Sequence, residues 1–190
     1  MVAQSAGPAG LPEWDGEFLV GEPDRIPIFL SHPDPNTDAQ REFLQELGRL
    51  LMHRGLHPRT LGRTDYDVQE PLAGTYGVMA QCYGVFTVAF AKHRVNGPDG
   101  AHNVSSPWMH IETAMAYGLG LPVAVLREEG VLAEGVLEKG VAGVYLGSFP
   151  LDVSPVETLS HPRSSGYIDA WTGQVRETVR FKSRPPRHYR

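Results

Sequence analysis

The sequence predicts a three-layer α/β/α fold with a mostly parallel central sheet of about five strands. Two observations carry that prediction. Short apolar runs alternate with stretches of helical periodicity, the pattern of strands joined by crossover helices. The runs are apolar through their middles, as strands covered on both faces must be. A third observation bounds the answer: 190 residues at 41% hydrophobic and 21% charged suffice for one domain with a sizeable core.

The first run, RIPIFLS at 25–31, is read as a buried strand that ends in the polar turn SHPDPNTD. A helix follows, with Phe43, Leu44, Leu47, Leu50 and Leu51 at helical spacing. Thr37 opens it with Gln40 three places later, and Gly55 closes it. LHPRTL is a poorer second strand, GRTDYDVQEPLAG a long loop, and YGVMAQC a second helix weakened by glycine. VFTVAFA at 85–91, β-branched and aromatic without charge, is the best central strand. Residues 92–106 are read as a loop, a length uncommon in compact domains unless it serves a function. Ser106 as N-cap and Pro107 at the first position then start a helix that stops at Gly118. LPVAVL is another buried strand, 131–139 a short helix, VAGVYLG a last strand. Ile168, Trp171, Val175 and Val179 line one side of a C-terminal helix. No internal repeat is visible.

Residues 1–24 are rich in Gly, Pro and Ala without a period, which suits a flexible or loosely docked N-terminal arm. The last eight residues, 183–190, form a short basic tail. The domain proper is therefore placed at 25–182.

Charge and cysteine usage narrow the partners. A net charge of −5 opposes binding through excess Lys and Arg, so nucleic acid is not an expected partner. The single cysteine, Cys82, cannot form an intrachain disulfide. Neither a basic-then-apolar leader nor an 18-residue apolar run is seen, so a cytoplasmic location without membrane attachment is expected.

Chemistry concentrates in SSPWMHIETAMA, residues 105–116. At 100° per residue, Trp108, Ile111, Ala114, Met115 and Gly118 fall on one side, with His110, Thr113 and Tyr117 facing away. Glu112 lies near the border of the apolar side, partly desolvated yet reachable. In open α/β sheets the ligand crevice lies beyond the carboxyl ends of the strands, where this helix starts. The competing role for Glu112 is an ordinary helix-start charge favoured by the dipole.

IPIFLSHPDPNTD with its amphipathic helix resembles the opening of TIR domains. SPWMHIETAMAYGLGLPVAVL is similar to the stretch of enzymatic TIR domains in which Trp-x-x-x-Glu precedes a small-residue helix, a glycine and a strand. The likeness covers roughly residues 25–150 and is most specific at 106–126. It implies a flavodoxin-like fold and Glu112 as the catalytic residue for cleaving nicotinamide from NAD. Two departures stand out: the 92–106 stretch is longer than in that family, and GRTDYDVQEPLAG matches its second box only loosely. Nucleoside 2-deoxyribosyltransferases and nucleotide N-glycosidases share the wider fold and also place a glutamate at such a helix start.

One carboxylate suits NAD. Cleavage of the C1′–N bond passes through an oxocarbenium-like state that a carboxylate stabilises or traps. Nicotinamide leaves from a pyridinium that is already cationic, so its departure needs no proton. A nucleotide base leaving as an anion wants a second acid, for which Asp34, Asp65 and Asp67 are the loop candidates.

Ser31 and His32, at the end of the first strand, are expected to hold ribose or the carboxamide, with turn capping as their alternative role. Trp108 is a candidate for stacking on the base, with packing under the sheet as the role placed ahead of it. Arg63 is a candidate for a phosphate, against the commoner role of a solvated loop arginine. His93, His102 and His110 lack metal-site spacing, and no GxGxxG or P-loop is present, so no metal or cofactor is expected and NAD enters as substrate. The expected function is a TIR-like NAD glycohydrolase or cyclase giving ADP-ribose or a cyclic isomer. The resemblance extends to stand-alone bacterial TIR proteins of antiphage defence, which implies self-association and a separately encoded sensor or effector. The alternatives are a nucleotide N-glycosidase and a non-enzymatic TIR scaffold.

Overall fold

A computed structural model describes residues 25–61, 71–140 and 145–182. The arm at 1–24 and the tail at 183–190 lie outside the described residues. In chain order the elements are β1 (Ile26–Ser31), α1 (Asp38–His53), β2 (Leu56–Arg59), α2 (Pro71–Met79), β3 (Val85–Ala89), β4 (His93–Gly97), β5 (Gly100–Val104), α3 (Pro107–Gly118), β6 (Val123–Glu128), a 3-10 turn (Gly135–Leu137), β7 (Tyr145–Phe149), α4 (Pro155–Ser160) and α5 (Pro162–Lys182).

Five strands make one parallel sheet in the order β2-β1-β3-β6-β7. With the β4–β5 hairpin set aside, this is the flavodoxin-like order, in which the direction of winding reverses between β1 and β3. Alternation along each strand sorts side chains to two faces. Ile28, Leu30, Phe86, Val88, Ala124 and Leu126 pack with α1, α4 and α5. Phe29, Val85, Ala89, Val123 and Val125 pack with α2 and α3. Both faces are thus covered, which is why these strands are continuously apolar.

On the first face Phe43 stacks on Phe149 at 3.9 Å, and Phe90 meets both edge-on. Trp171 is fully buried, lies edge-to-face with Phe86 at 5.1 Å, and donates its ring N–H to the Pro122 carbonyl at 3.2 Å. A side chain of this size contributes about 1.5–3 kcal/mol by burial alone. At Gly84 a Cβ would come within 2.5 Å of Val175 Cγ2, so α5 crosses the sheet there only because the position carries no side chain. Gly55, at φ +74°, takes the left-handed conformation that ends α1 as expected.

Three readings change. Residues 92–106 are not one loop: β4 and β5 pair from His93↔Val104 to Gly97↔Gly100 around a Pro98–Asp99 turn. These strands carry no apolar face because most of their residues are exposed, so they lack the hydrophobic alternation that marks a strand. The second helix runs 71–79 instead of 76–82, starting on a proline suited to a first helical position. The short helix α4 was absent from the sequence reading, which is unsurprising at six residues.

Candidate active site

Ser31 ends β1 and Thr87 lies beside it on β3, with Val125 next in the same row on β6. Alternation places all three on the face covered by α3. This row sits at the β1/β3 reversal, where flavodoxin-like sheets hold their ligands.

Ser106 accepts a hydrogen bond from the Trp108 N–H at 3.3 Å, and Pro107 follows it, so α3 starts as the sequence indicates. The face it buries is different. Met109, Thr113 and Ala116 are buried, whereas Trp108 and Ile111 are 46% and 41% exposed. Hydrophobicity misjudged the wheel because one inward position is a threonine. Thr113 is fully satisfied inside: its hydroxyl donates to the Met109 carbonyl at 2.7 Å and accepts from the Thr87 hydroxyl at 3.0 Å. Two consecutive side chains therefore face the sheet, Thr113 towards β3 and Glu112 towards β1.

Glu112 is half-buried, and its Oε2 accepts a hydrogen bond from the Ser31 hydroxyl, 81 residues earlier. Burial pushes its pKa above the ordinary glutamate range, while the Ser31 hydrogen bond pulls the other way by favouring the charged form. Ser31 is fully buried and its hydroxyl is engaged with the carboxylate, a different task from the sugar contact expected of it.

His32 Nδ1 lies 3.0 Å from the Pro33 carbonyl, the turn-capping arrangement. Trp108 stands half-exposed one helical turn before Glu112, so it does not pack under the sheet and its ring is open to a ligand. Arg63, Asp65 and Asp67 lie outside the described residues. Asp34 is exposed and its carbonyl accepts from Lys92 Nζ at 3.2 Å. His110, expected to face away, is half-buried, and burial lowers its pKa against the opposing charge of Glu134. Among the described residues, no three His, Cys, Asp or Glu side chains gather to hold a metal ion. No described helix is long and apolar enough to cross a membrane.

A polar network supports the wall of the site, and sequence reasoning missed most of it. Gln40 accepts from the Asn36 N–H at 2.7 Å and donates to Glu128 at 2.8 Å and to the Ala91 carbonyl at 3.3 Å. Glu128 also accepts from the Ala91 N–H at 2.9 Å, and Lys92 Nζ reaches Asn36 Oδ1 at 3.1 Å. The turn after β1 is thereby tied to the ends of β3 and β6. The Thr37/Gln40 spacing signalled only a helix cap. Half of it forms, with Thr37 Oγ1 accepting from the Gln40 N–H at 3.2 Å, but the Gln40 side chain is diverted into the network.

No protein-family model matches this chain, and no curated protein matches it in sequence. Among solved structures it is similar to the Clostridium botulinum CMP N-glycosidase BcmB, at 17% identity over 65% of this chain and 88% of that one, with a TM-score of 0.41. It is also similar to the TIR domains of the activated Roq1 resistosome directly recognizing the pathogen effector XopQ, at 12% identity over 82% and 84% of the two chains, with a TM-score of 0.40. The strand order and the two helical layers make this chain an α/β protein of flavodoxin-like architecture.

Proposed function

We propose that this protein cleaves the nicotinamide–ribose bond of NAD with Glu112 as its catalytic carboxylate. One observation carries the reading: a half-buried glutamate, oriented by a strand-end serine, at the β1/β3 reversal of a parallel sheet. Set beneath C1′ of a bound nucleotide, the carboxylate faces the charge that develops as the C–N bond breaks. Partial burial strengthens that attraction, since little water screens it. The bonding pair leaves with nicotinamide, which departs neutral. Water then adds at C1′ and releases a proton, giving ADP-ribose; a nucleophile within the substrate gives a cyclic isomer instead.

Ser31 holds the carboxylate in place, and the Thr87–Thr113 bond fixes the height of α3 above the sheet. Trp108, exposed at the rim, supplies a face on which a base or nicotinamide ring stacks. The tied turn after β1 carries His32 at the same edge. Self-association and a separately encoded sensor or effector belong to the same proposal.

A second reading has one observation in its favour. The raised pKa of Glu112 lets it hold a proton at higher pH than an ordinary glutamate, as an acid protonating a departing base requires. This would make the protein a nucleotide N-glycosidase. Chromatography of products from NAD and from a nucleoside monophosphate panel, with wild type and Glu112→Gln at high concentration, separates the two. Nicotinamide release abolished in the variant supports the NAD reading. Free base from the panel replaces it with the second, and silence of concentrated protein on every substrate sinks both in favour of a scaffold.

A further inference from the structure

Arg127 ends the apolar run of β6 with a charge that no described residue answers. It pairs with Ala89 on β3 and Ser148 on β7. Since Val123 and Val125 face α3, alternation puts Arg127 on that face too, one pleat nearer the carboxyl edge than the Ser31–Thr87–Val125 row. The residue is half-buried, its Nε is inaccessible, and no described group hydrogen-bonds to the guanidinium or pairs with it. Glu128, next along the strand, points to the opposite face towards Gln40, and the Glu112 carboxylate accepts from Ser31. Ser105, directly ahead of the α3 cap, has a second buried polar atom without a described partner, its Oγ.

A partly desolvated guanidinium without a counter-ion is costly, and an anion arriving at its planar fork of donors relieves that cost. Strand spacing and rise put the Arg127 Cα about 12 Å from the Ser31 Cα. A nucleotide's phosphate and anomeric carbon are only one sugar apart, less than this backbone separation, and the long arginine side chain is able to span the difference. We infer that Arg127 is the anion-recognising residue of this site and takes a phosphate or pyrophosphate oxygen of the substrate. The inference rests on the proposed nucleotide reading for its ligand, and it makes the substrate a phosphorylated one: a bare nucleoside lacks the group that Arg127 holds.

Binding is measured by calorimetry in the Glu112→Gln background, so that no turnover is needed, with ADP-ribose, ADP and nicotinamide riboside as probes. Arg127→Gln is expected to weaken ADP-ribose and ADP by about tenfold or more and to leave nicotinamide riboside unchanged. Arg127→Lys, which keeps the charge but not the fork, should fall between. Thermal melts confirm that each variant is folded, and the lysine variant carries the test if the glutamine one is not. Equal affinity of both phosphorylated probes for variant and parent overturns the inference, as does failure of the parent to bind them. Phosphate-dependent binding in a protein that never cleaves NAD would uphold Arg127 while removing the NAD reading.

Discussion

Ser31→Ala removes one hydroxyl from a fully buried strand end and alters almost nothing else, so its effect on Glu112 can be worked out in advance. A hydrogen bond to a charged group contributes about 1.5–3 kcal/mol and one between neutral groups about 0.5–1.5 kcal/mol. The difference, about 1–1.5 kcal/mol, falls on the ionised form alone. Losing it therefore raises the Glu112 pKa. Burial already holds that pKa above the ordinary range, so in the variant it climbs further. The assay is carbon-detected NMR of side-chain carboxyls through a pH series, with Glu112 assigned by its absence in Glu112→Gln. If NAD is cleaved, the acid limb of the rate profile moves up with it, because the reaction uses the carboxylate. An unchanged or lowered pKa in Ser31→Ala would refute the coupling, whatever the enzyme's substrate.

Glu112→Gln should stabilise the protein in a pH-dependent way. A raised folded pKa means that the native state binds more protons than the unfolded state between the ordinary glutamate range and the folded value. The wild-type contribution is therefore complete below that range and lost as pH rises through the folded pKa. Thermal melts should show the glutamine variant gaining on wild type across that window and matching it in acid; a constant difference at all pH values contradicts the burial of the charge. Trp108→Ala should leave stability within about 0.5 kcal/mol, as for an ordinary surface position, and raise KM for NAD by about fivefold or more through lost stacking. A loss of several kcal/mol would instead show a core residue.

Much of the fold was legible because it is governed by local periodicity. The strands at 26–31, 85–89 and 123–128 and the helix at 38–53 emerge from apolar runs and helical spacing that neighbouring residues decide among themselves. Trp171, Ile168 and Val175 line the buried side of α5 for the same reason. The hairpin at 93–104 escaped because its strands bury little, and burial is what writes alternation into a sequence.

The site was legible only in its centre. Glu112 stood out through the Trp-x-x-x-Glu pattern at a helix start, and Ser31 through its place at a strand end. Their contact was invisible, since nothing local relates two residues 81 positions apart. The face of α3 was misjudged because a threonine satisfied by Thr87 and by its own helix is as acceptable inside as a leucine. Arg127 drew no attention, for an arginine ending a strand is ordinary until its surroundings show that no described group answers its charge.

By itself, then, the sequence determined the α/β class and the sites of its main strands and helices, and it marked one carboxylate at a helix start as the candidate for chemistry. Tertiary structure alone decided which hydroxyl orients that carboxylate, which way the tryptophan turns, and where a cation stands with no partner among the described residues. Periodicity is a property of neighbours along the chain, whereas protonation, orientation and charge pairing belong to groups that meet only when the sheet closes.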